Sequence, residues 1–136
     1  MRMLVNIDVP DLRLGVDFYS AALGLNLNRM LDDDVAELSG GAATVYLLRK
    51  EEGTAPAASV ADGRTYVRHW TSVHVDFVVD DLQDAIQRAE NAGAKRESAC
   101  VCWRGSRCVT FCDPFGNGFC LIAFDEGTYS DVPDQS

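Results

Sequence analysis

The chain repeats its own pattern once, with an offset of 70 residues between Asp11 and Asp81. Ahead of each aspartate the side chains alternate as in a β-strand, over Leu4–Val9 in the first half and Thr71–Val79 in the second. Each aspartate stands where a helix would begin, because its side chain accepts hydrogen bonds from free backbone N–H groups. A strand and a capped helix, occurring twice, predict two halves with the same order of elements.

Apolar residues at helical spacing follow each cap and end at a glycine, which is typical of a helix C-terminus. These helical patterns end at Gly24 in the first half and at Gly93 in the second. Further strands are predicted at Val35–Leu38, Ala43–Leu48, Ser98–Trp103, Arg107–Cys112 and Phe119–Phe124. Each half is therefore predicted as βαβββ, or nearly so, which makes the fold α+β.

The predicted organisation is one domain over residues 1–126, followed by a flexible tail at residues 127–136. The domain divides into a first module at residues 1–50, a linker at 51–70 and a second module at 71–126. The linker starts with small and polar residues that have no period, while Tyr66, His69 and Trp70 indicate that its end packs. A connection of this length is typical of a lid, a binding loop or a spacer.

The net charge is −9, from 21 acidic and 12 basic residues. Such a chain lacks the positive charge that drives nucleic-acid binding, and anionic lipid would repel it. No apolar run approaches the roughly 20 residues that cross a bilayer. Asn6 and Asp8 interrupt the apolar start of the chain, where a signal peptide needs a continuous run. We expect a cytoplasmic protein without nucleic-acid or membrane partners, and a neutral or cationic ligand.

Five cysteines lie close together in the second half, at Cys100, Cys102, Cys108, Cys112 and Cys120. Their odd number and local grouping favour reduced thiols over a disulfide framework. The spacings Cys-x-Cys and Cys-x₃-Cys also suit zinc, but they fall on predicted strands rather than tight turns. We expect these thiols to pack as small core side chains. A soft-metal or organometal sensor is the alternative.

Four motifs occur in order along the chain: Val9-Pro10-Asp11, Phe18-Tyr19, Leu23-Gly24-Leu25 and Asp113-Pro114-Phe115-Gly116-Asn117-Gly118. In this order and spacing the chain resembles, over nearly its whole length, the vicinal oxygen chelate superfamily of glyoxalases, bleomycin-resistance proteins and extradiol dioxygenases. The resemblance implies two βαβββ modules whose curved sheets form one cleft, and a homodimer with halves side by side or swapped. A ferredoxin-like fold is the alternative for the same order of elements.

The same resemblance implies one divalent metal in the cleft, held by four side chains. By position these are His74 and Cys120 in the second half and Leu4 and Tyr46 in the first. Leu4 has no donor atom, and three protein ligands are the usual set for a catalytic ion. We therefore expect no metal cofactor. The alternative is a divalent metal at His74 and Cys120, joined by Asp76 or Tyr46.

A small organic molecule is the partner that the remaining residues favour, because aromatic walls stack flat molecules and a few polar groups orient them. The candidate ligand-binding residues are Asn6, Tyr46, His74, Asp76, Trp103 and Cys120. Trp103-Arg104-Gly105, shortly before Asp113-Pro114, resembles the antibiotic-resistance branch, whose members are small, acidic and free of metal.

The predicted function is metal-independent sequestration of an aromatic or cationic molecule, as in bleomycin-resistance proteins. The first alternative is a divergent metal-dependent enzyme, either a lyase, an isomerase or a dioxygenase. The second alternative is a subunit or sensor whose cleft is vestigial. The sequence contains neither a Gly-x-Ser-x-Gly nor a Walker-type motif, which disfavours acyl and phosphoryl transfer.

Overall fold

The structure is a computed structural model that describes residues 1–131. The first half consists of β1 (Leu4–Val9), α1 (Leu12–Leu23), β2 (Asn26–Leu31), β3 (Val35–Ser39) and β4 (Thr44–Arg49). The second half consists of β5 (Val75–Val78), α2 (Leu82–Ala92), β6 (Lys95–Arg96), β7 (Val101–Trp103), β8 (Ser106–Cys112) and β9 (Gly118–Phe124). A 3₁₀ helix follows at Tyr129–Asp131. The predicted α+β class is confirmed.

The two halves build two sheets with equivalent strand orders. The first sheet has the order β1-β4-β3-β2, and its β1 runs parallel to β4. The second has the order β5-β9-β8-β6, with β5 parallel to β9 and with β7 also pairing with β8. Since β6 and β7 pair with successive parts of β8, they together take the place of β2. Both halves are therefore βαβββ, with one edge strand split in two.

Each helix begins and ends as the sequence predicts. Asp11 caps α1 by accepting a hydrogen bond from the backbone N–H of Leu14 at 2.9 Å, and Asp81 caps α2 in the same way. Gly24 and Gly93 end the helices with φ of 68° and 111°. Glycine adopts this left-handed conformation without a Cβ clash.

The hydrophobic core lies between the two helices and one face of the sheets. Its buried side chains include Val9, Tyr19, Leu47, Phe111 and Leu121. Alternate side chains of a strand point to opposite faces of its sheet, so half of the strand residues point away from this core. They form a second, more open face, which carries Leu4, Asn6, His74 and Asp76.

Four strands differ from the sequence prediction. β6 was not predicted, and β7 begins at Val101 instead of Ser98. β2 was not among the predicted strands, because its residues are largely exposed and a bulge between Leu27 and Arg29 interrupts the alternation. β5 begins at Val75 instead of Thr71, because the preceding residues form a loop. The β-branched residues in that loop gave it the appearance of a strand.

The turn between β8 and β9 connects the two halves. Asp113 accepts hydrogen bonds from the Tyr19 hydroxyl on α1 and from the backbone N–H groups of Phe115 and Asn117. The side-chain amide of Asn117 donates to the backbone carbonyl of Asp8 at 3.4 Å. This motif, part of the family resemblance, therefore forms a polar link between the second half and both α1 and β1.

Three contacts hold the end of the linker against the folded chain. They are Arg64 Nε to Asp8 Oδ2 at 2.8 Å, the Tyr66 hydroxyl to the Lys50 carbonyl at 2.6 Å, and Arg68 to both carboxylate oxygens of Glu97 at 2.8 and 3.0 Å. The packing expected from Tyr66 is therefore present. Trp70, expected to pack beside it, is instead 82% exposed.

The beginning of the tail folds back on the second sheet. Tyr129 lies edge-on to Trp103 and Phe124, with ring centroids 5.1 and 4.8 Å apart. The rest of the tail predicted as flexible, residues 132–136, lies outside the described residues. Neither helix within residues 1–131 has the length and apolar character needed to cross a bilayer.

Candidate functional site

A cavity of about 390 Å³ lies between β1 of the first half and β5 of the second. Its lining residues come from β1, α1, the end of the linker, β5 and the β8–β9 turn, and most of them are apolar. They are Leu4, Val5, Asn6, Ile7, Tyr19, His69, Thr71, Val73, His74, Val75, Phe77, Gly116, Asn117, Gly118 and Phe119. Both halves and their connection thus build one pocket.

Strand order and glycines explain why the pocket forms here. β1 and β5 stand at the ends of their respective sheet orders, so the backbone of each is paired on one side. Gly116 and Gly118 then allow the linker to approach closely. A Cβ atom on Gly116 would lie 2.5 Å from the carbonyl oxygen of Tyr66, and one on Gly118 would lie 2.5 Å from the guanidinium of Arg68.

Polar groups lie at several points of this mostly apolar lining. Nδ1 of His69 lies 2.9 Å from the carbonyl oxygen of Val67. In the neutral ring this contact assigns the proton to Nδ1, which leaves Nε2 with a lone pair. Asn6 and His74 add further donors and acceptors from the two halves. A ligand could therefore be oriented by hydrogen bonds from both halves.

His74 also belongs to a group of donor atoms beside the cavity. Its Nε2 lies 3.1 Å from Oδ1 of Asp76, and Asp76 is the register partner of Cys120. One donor atom from each of these three residues lies within 4.8 Å of the others. Three of the residues predicted for the site are thus brought together.

Cys108 on β8 lies on the same face of the sheet as Cys120. We call His74, Asp76, Cys108 and Cys120 together the sulfur cluster. Cys108 is a diagonal neighbour of Cys120 on the adjacent strand, and Sγ of Cys120 lies 3.5 Å from Oγ1 of Thr110. Burial first, and then the neighbouring Cys120, raise the pKa of Cys108 to about 12. Cys108 is therefore protonated at neutral pH and is a poor nucleophile in this state.

The remaining cysteines divide between the core and the surface. Cys112 and Cys120 are buried, as expected for small core side chains. The same expectation is wrong for Cys100 and Cys102, which are exposed. They lie in and beside β7, a three-residue edge segment whose residues are all exposed.

Tyr46 occupies the place in the first half that Cys120 has in the second, since it is the register partner of Asn6. Its hydroxyl donates to Oε2 of Glu37 at 2.8 Å. This bond lowers the pKa of Glu37, which also lies 3.3 Å from Arg29, and raises the pKa of Tyr46. Sequence reasoning missed Glu37. Alternation along β3 indicates its face, but its pairing with Tyr46 depends on the strand register.

Trp103 lies on β7, outside the cavity lining. Its ring packs against Tyr129, and the guanidinium of Arg104 lies 5.3 Å from the ring centroid. The six predicted ligand-binding residues thus separate into three sets: Asn6 and His74 in the lining, Asp76 and Cys120 beside it in the sulfur cluster, and Tyr46 and Trp103 elsewhere.

Residues 4–122, most of the chain, match the family model of the glyoxalase-like domain. The chain belongs to the glyoxalase-like family. This membership confirms the resemblance to the vicinal oxygen chelate superfamily that the four sequence motifs indicated. No curated protein matches this glyoxalase-like chain in sequence.

Several solved structures share the glyoxalase-like fold. The fosfomycin resistance protein FosX from Listeria monocytogenes superposes with a TM-score of 0.72 at 15% identity, covering 98% of both chains. A lactoylglutathione lyase from Agrobacterium tumefaciens gives 0.64 at 22% identity, covering 90% of this chain and 92% of that one. The hypothetical protein SA1046 from S. aureus gives 0.66 at 21% identity, covering 90% and 96%. At these identities the likeness establishes the fold alone.

The divalent metal implied by the superfamily does not fit this glyoxalase-like chain as a set of four ligands. His74 and Cys120 carry donor atoms, but Leu4 carries none and the hydroxyl of Tyr46 donates to Glu37. On the side of the first half, an ion placed between the two halves would meet Leu4, which has no donor atom, and a Tyr46 hydroxyl that is already bonded to Glu37. The potential ligands of the sulfur cluster instead come from the second half.

Proposed function

We propose that this glyoxalase-like protein binds a small organic molecule in the cavity between β1 and β5, without a metal ion and without making or breaking a bond. The main support for this proposal is the cavity itself. Its volume of about 390 Å³ falls in the range of pockets that bind small ligands, and its walls are mostly apolar. Sequestration of a toxic compound such as an antibiotic is the biological role that we infer.

Apolar and aromatic walls favour a flat, aromatic ligand. Val5 and Ile7 line the cavity from β1, while Val75 and Phe77 line it from β5. Phe119 also lines the cavity and packs against Phe77, with ring centroids 5.8 Å apart. Burial of apolar area supplies affinity, and aromatic contacts add specific geometry.

The charge of the protein favours a cation over an anion. Asp76 stands beside His74 at the cavity, and the chain carries a net charge of −9. A negative field raises the rate at which a cationic ligand arrives, and salt screens this effect. Asn6, His69 and His74 would then fix the orientation of the bound molecule through hydrogen bonds.

We further propose a homodimer as the working form. Leu4 and Val73 of the cavity lining are largely exposed, and so are Met3 and Trp70, which adjoin lining residues in the chain. Contiguous exposed apolar surface commonly marks a contact with another molecule. A second copy of the chain would cover these side chains and shield the ligand from water.

Calorimetric titration of chelator-treated protein tests the proposed ligand binding. The panel pairs flat aromatic cations with anions of equal size, and we expect the cations to bind. Val73→Trp should weaken binding at least tenfold, because the larger ring enters the cavity from its wall. Val101→Trp is the matched control, since this valine is also exposed but lies outside the lining. Binding of anions alone, or equal losses in both variants, would contradict the proposal.

The contacts in the sulfur cluster favour a metal-dependent lyase, isomerase or dioxygenase as the second candidate function. His74, Asp76 and Cys120 could supply three ligands. Untagged protein would then contain about one equivalent of metal, lost on His74→Ala. Ligand binding or turnover that requires this metal would establish the enzyme over the metal-independent binding protein.

A further inference from the structure

We propose that the sulfur cluster binds one soft divalent ion, such as Cd²⁺, with ligands from the second half alone. The superfamily places a metal between two halves, whereas this ion would lie displaced into one. The proposal goes beyond the organic-ligand cavity, which the sulfur cluster adjoins through His74.

Three donor atoms already stand close to the separations that a metal requires. In a tetrahedral site with bonds of about 2.0–2.3 Å, ligand atoms lie about 3.3–3.8 Å apart. The donor atoms of His74, Asp76 and Cys120 lie within 4.8 Å of one another. His74 and Asp76 have side chains that are 55% and 39% exposed, so they are free to adjust their rotamers around an ion.

Cys108 is the fourth ligand in this arrangement. On β8 it is two residues from Thr110, which is the register partner of Cys120, so both thiols are on the same face of the sheet. Oγ1 of Thr110 lies 3.5 Å from Sγ of Cys120, and Cys108 is the next residue of β8 on that face. An ion drawn to one thiol would therefore have the second within reach.

The donor types select for a soft ion. Two sulfur atoms, an imidazole and one carboxylate suit Cd²⁺ or Zn²⁺, whereas Mg²⁺ and Ca²⁺ prefer sites built from oxygen. The equivalent face of the first half offers Leu4, Asn6 and Tyr46, of which the last is engaged by Glu37. The second half therefore offers donor atoms that suit a soft ion, whereas the equivalent face of the first half does not.

Titration with Cd²⁺ alone, in the variant Cys100→Ser/Cys102→Ser, tests the site. These two substitutions remove exposed thiols that could bind the ion independently. We expect one equivalent of Cd²⁺, with the ultraviolet charge-transfer absorption of a cadmium thiolate and no competition from Mg²⁺. Adding Cys120→Ser or Cys108→Ser should weaken Cd²⁺ binding at least about 100-fold. Loss of a direct ligand should weaken metal binding more than loss of a residue that only hydrogen-bonds to a ligand.

Cys112→Ser in the same background is the matched control, because Cys112 is buried but its thiol contacts the carbonyl of Asp113. It should retain the ion. Asp76→Asn and His74→Ala change exposed side chains and keep the test decisive if Cys120→Ser does not fold. Unchanged affinity in these two variants, an equal loss in Cys112→Ser, or absence of stoichiometric Cd²⁺ would overturn the proposal.

The proposed binding of an organic ligand and the proposed ion site can be tested independently. Cys120 is outside the lining of the cavity, so Cys120→Ser should still bind the organic ligand after chelator treatment. If the protein binds Cd²⁺ but binds none of the organic molecules, the proposed function is contradicted and the ion site is supported. The opposite result would contradict the ion site and support the proposed function.

Discussion

The hydroxyl of Tyr19 donates to Asp113 across the boundary between the two halves. Burial, and then the charge of Asp113, raise the pKa of Tyr19 well above its ordinary value. The phenol therefore stays protonated and remains a donor over the whole physiological range. Asp113 in turn accepts bonds from backbone groups of its own turn. One carboxylate thus ties a helix of the first half to a turn of the second.

Tyr19→Phe tests this link, because it keeps the ring and removes the donor. Asp113 would lose a buried bond, which should lower the free energy of unfolding by about 1–3 kcal/mol. Tyr46→Phe is the control, since it removes a hydroxyl from a carboxylate that water can reach. Urea denaturation measures both losses. A loss for Tyr19→Phe no larger than that for Tyr46→Phe would show that burial of this bond adds nothing.

For individual residues, spacing in the sequence predicted some members of the candidate site and could not predict others. His74 and Cys120 follow from the repeat and the resemblance, and Asp76 follows from alternation on the same strand. Glu37 was missed as the partner of Tyr46, and Cys108 as a neighbour of Cys120, since the residues of each pair lie on different strands. Pairing between strands is set by register and by tertiary packing, which a single sequence does not display.

Among the elements, both helices were predictable because caps, glycines and apolar spacing all agree. Edge strands were harder to predict. β2 is polar and bulged, while β6 has two residues, so neither shows the period of two by which strands are recognised. The linker had no period at all, and its attachment became visible only in its ion pairs with Asp8 and Glu97.

Gly116→Ala should be among the more destabilising single changes in the β8–β9 turn. Gly116 has φ of 86°, and its added Cβ would meet the backbone of Tyr66 at 2.5 Å. Gly53→Ala is the matched control, because Gly53 has φ of 84° and nothing within 4 Å of the added Cβ. We expect a loss of about 1–2 kcal/mol from the left-handed backbone at Gly53, and about 1–3 kcal/mol more at Gly116 from overpacking.

Thermal unfolding of the two glycine variants checks this difference. The wall that the linker gives to the cavity depends on its close approach to the turn. Ligand affinity should therefore fall in Gly116→Ala and stay unchanged in Gly53→Ala. Equal unfolding temperatures for the two variants would mean that the linker can move away from residue 116 without loss of stability.

The ion pair of Arg68 with Glu97 makes linker attachment depend on pH. The bond from Arg68 lowers the pKa of Glu97 in the folded state. A carboxyl with a lowered folded pKa stabilises the fold above its unfolded pKa of about 4.3, and this stabilisation is lost as pH falls towards the folded value. Glu97→Gln should therefore cost under about 1 kcal/mol at neutral pH, as for other partly exposed pairs, and less in acid.

Unfolding temperatures of Glu97→Gln and the wild type, compared at neutral and acidic pH, measure this dependence. Glu90→Gln on the exposed side of α2 corrects for the general loss of a negative charge. Protease cleavage within residues 51–70 should rise in Glu97→Gln at neutral pH. A difference from the wild type that grows in acid would contradict the assigned role of this pair.

At the scale of the whole molecule, the sequence repeat predicted the two equivalent halves. The homodimer is a proposal. Light scattering at increasing protein concentration should detect a homodimer. Trp70→Glu should raise the dissociation constant of the dimer at least tenfold, because Trp70 is exposed and lies in the chain between two residues of the cavity lining, His69 and Thr71. Val60→Glu in the exposed part of the linker is the control. A monomer at all concentrations would contradict the proposal.

The two walls of the cavity are related by the repeat, yet they are chemically unequal. β1 lines it with Leu4, whereas the equivalent residue on the other side is His74. A molecule between these walls would meet a more apolar environment at one end and imidazole at the other. The pocket is thus directional, and it should tell apart two regioisomers of a substituted ring that match in size, charge and hydrophobicity.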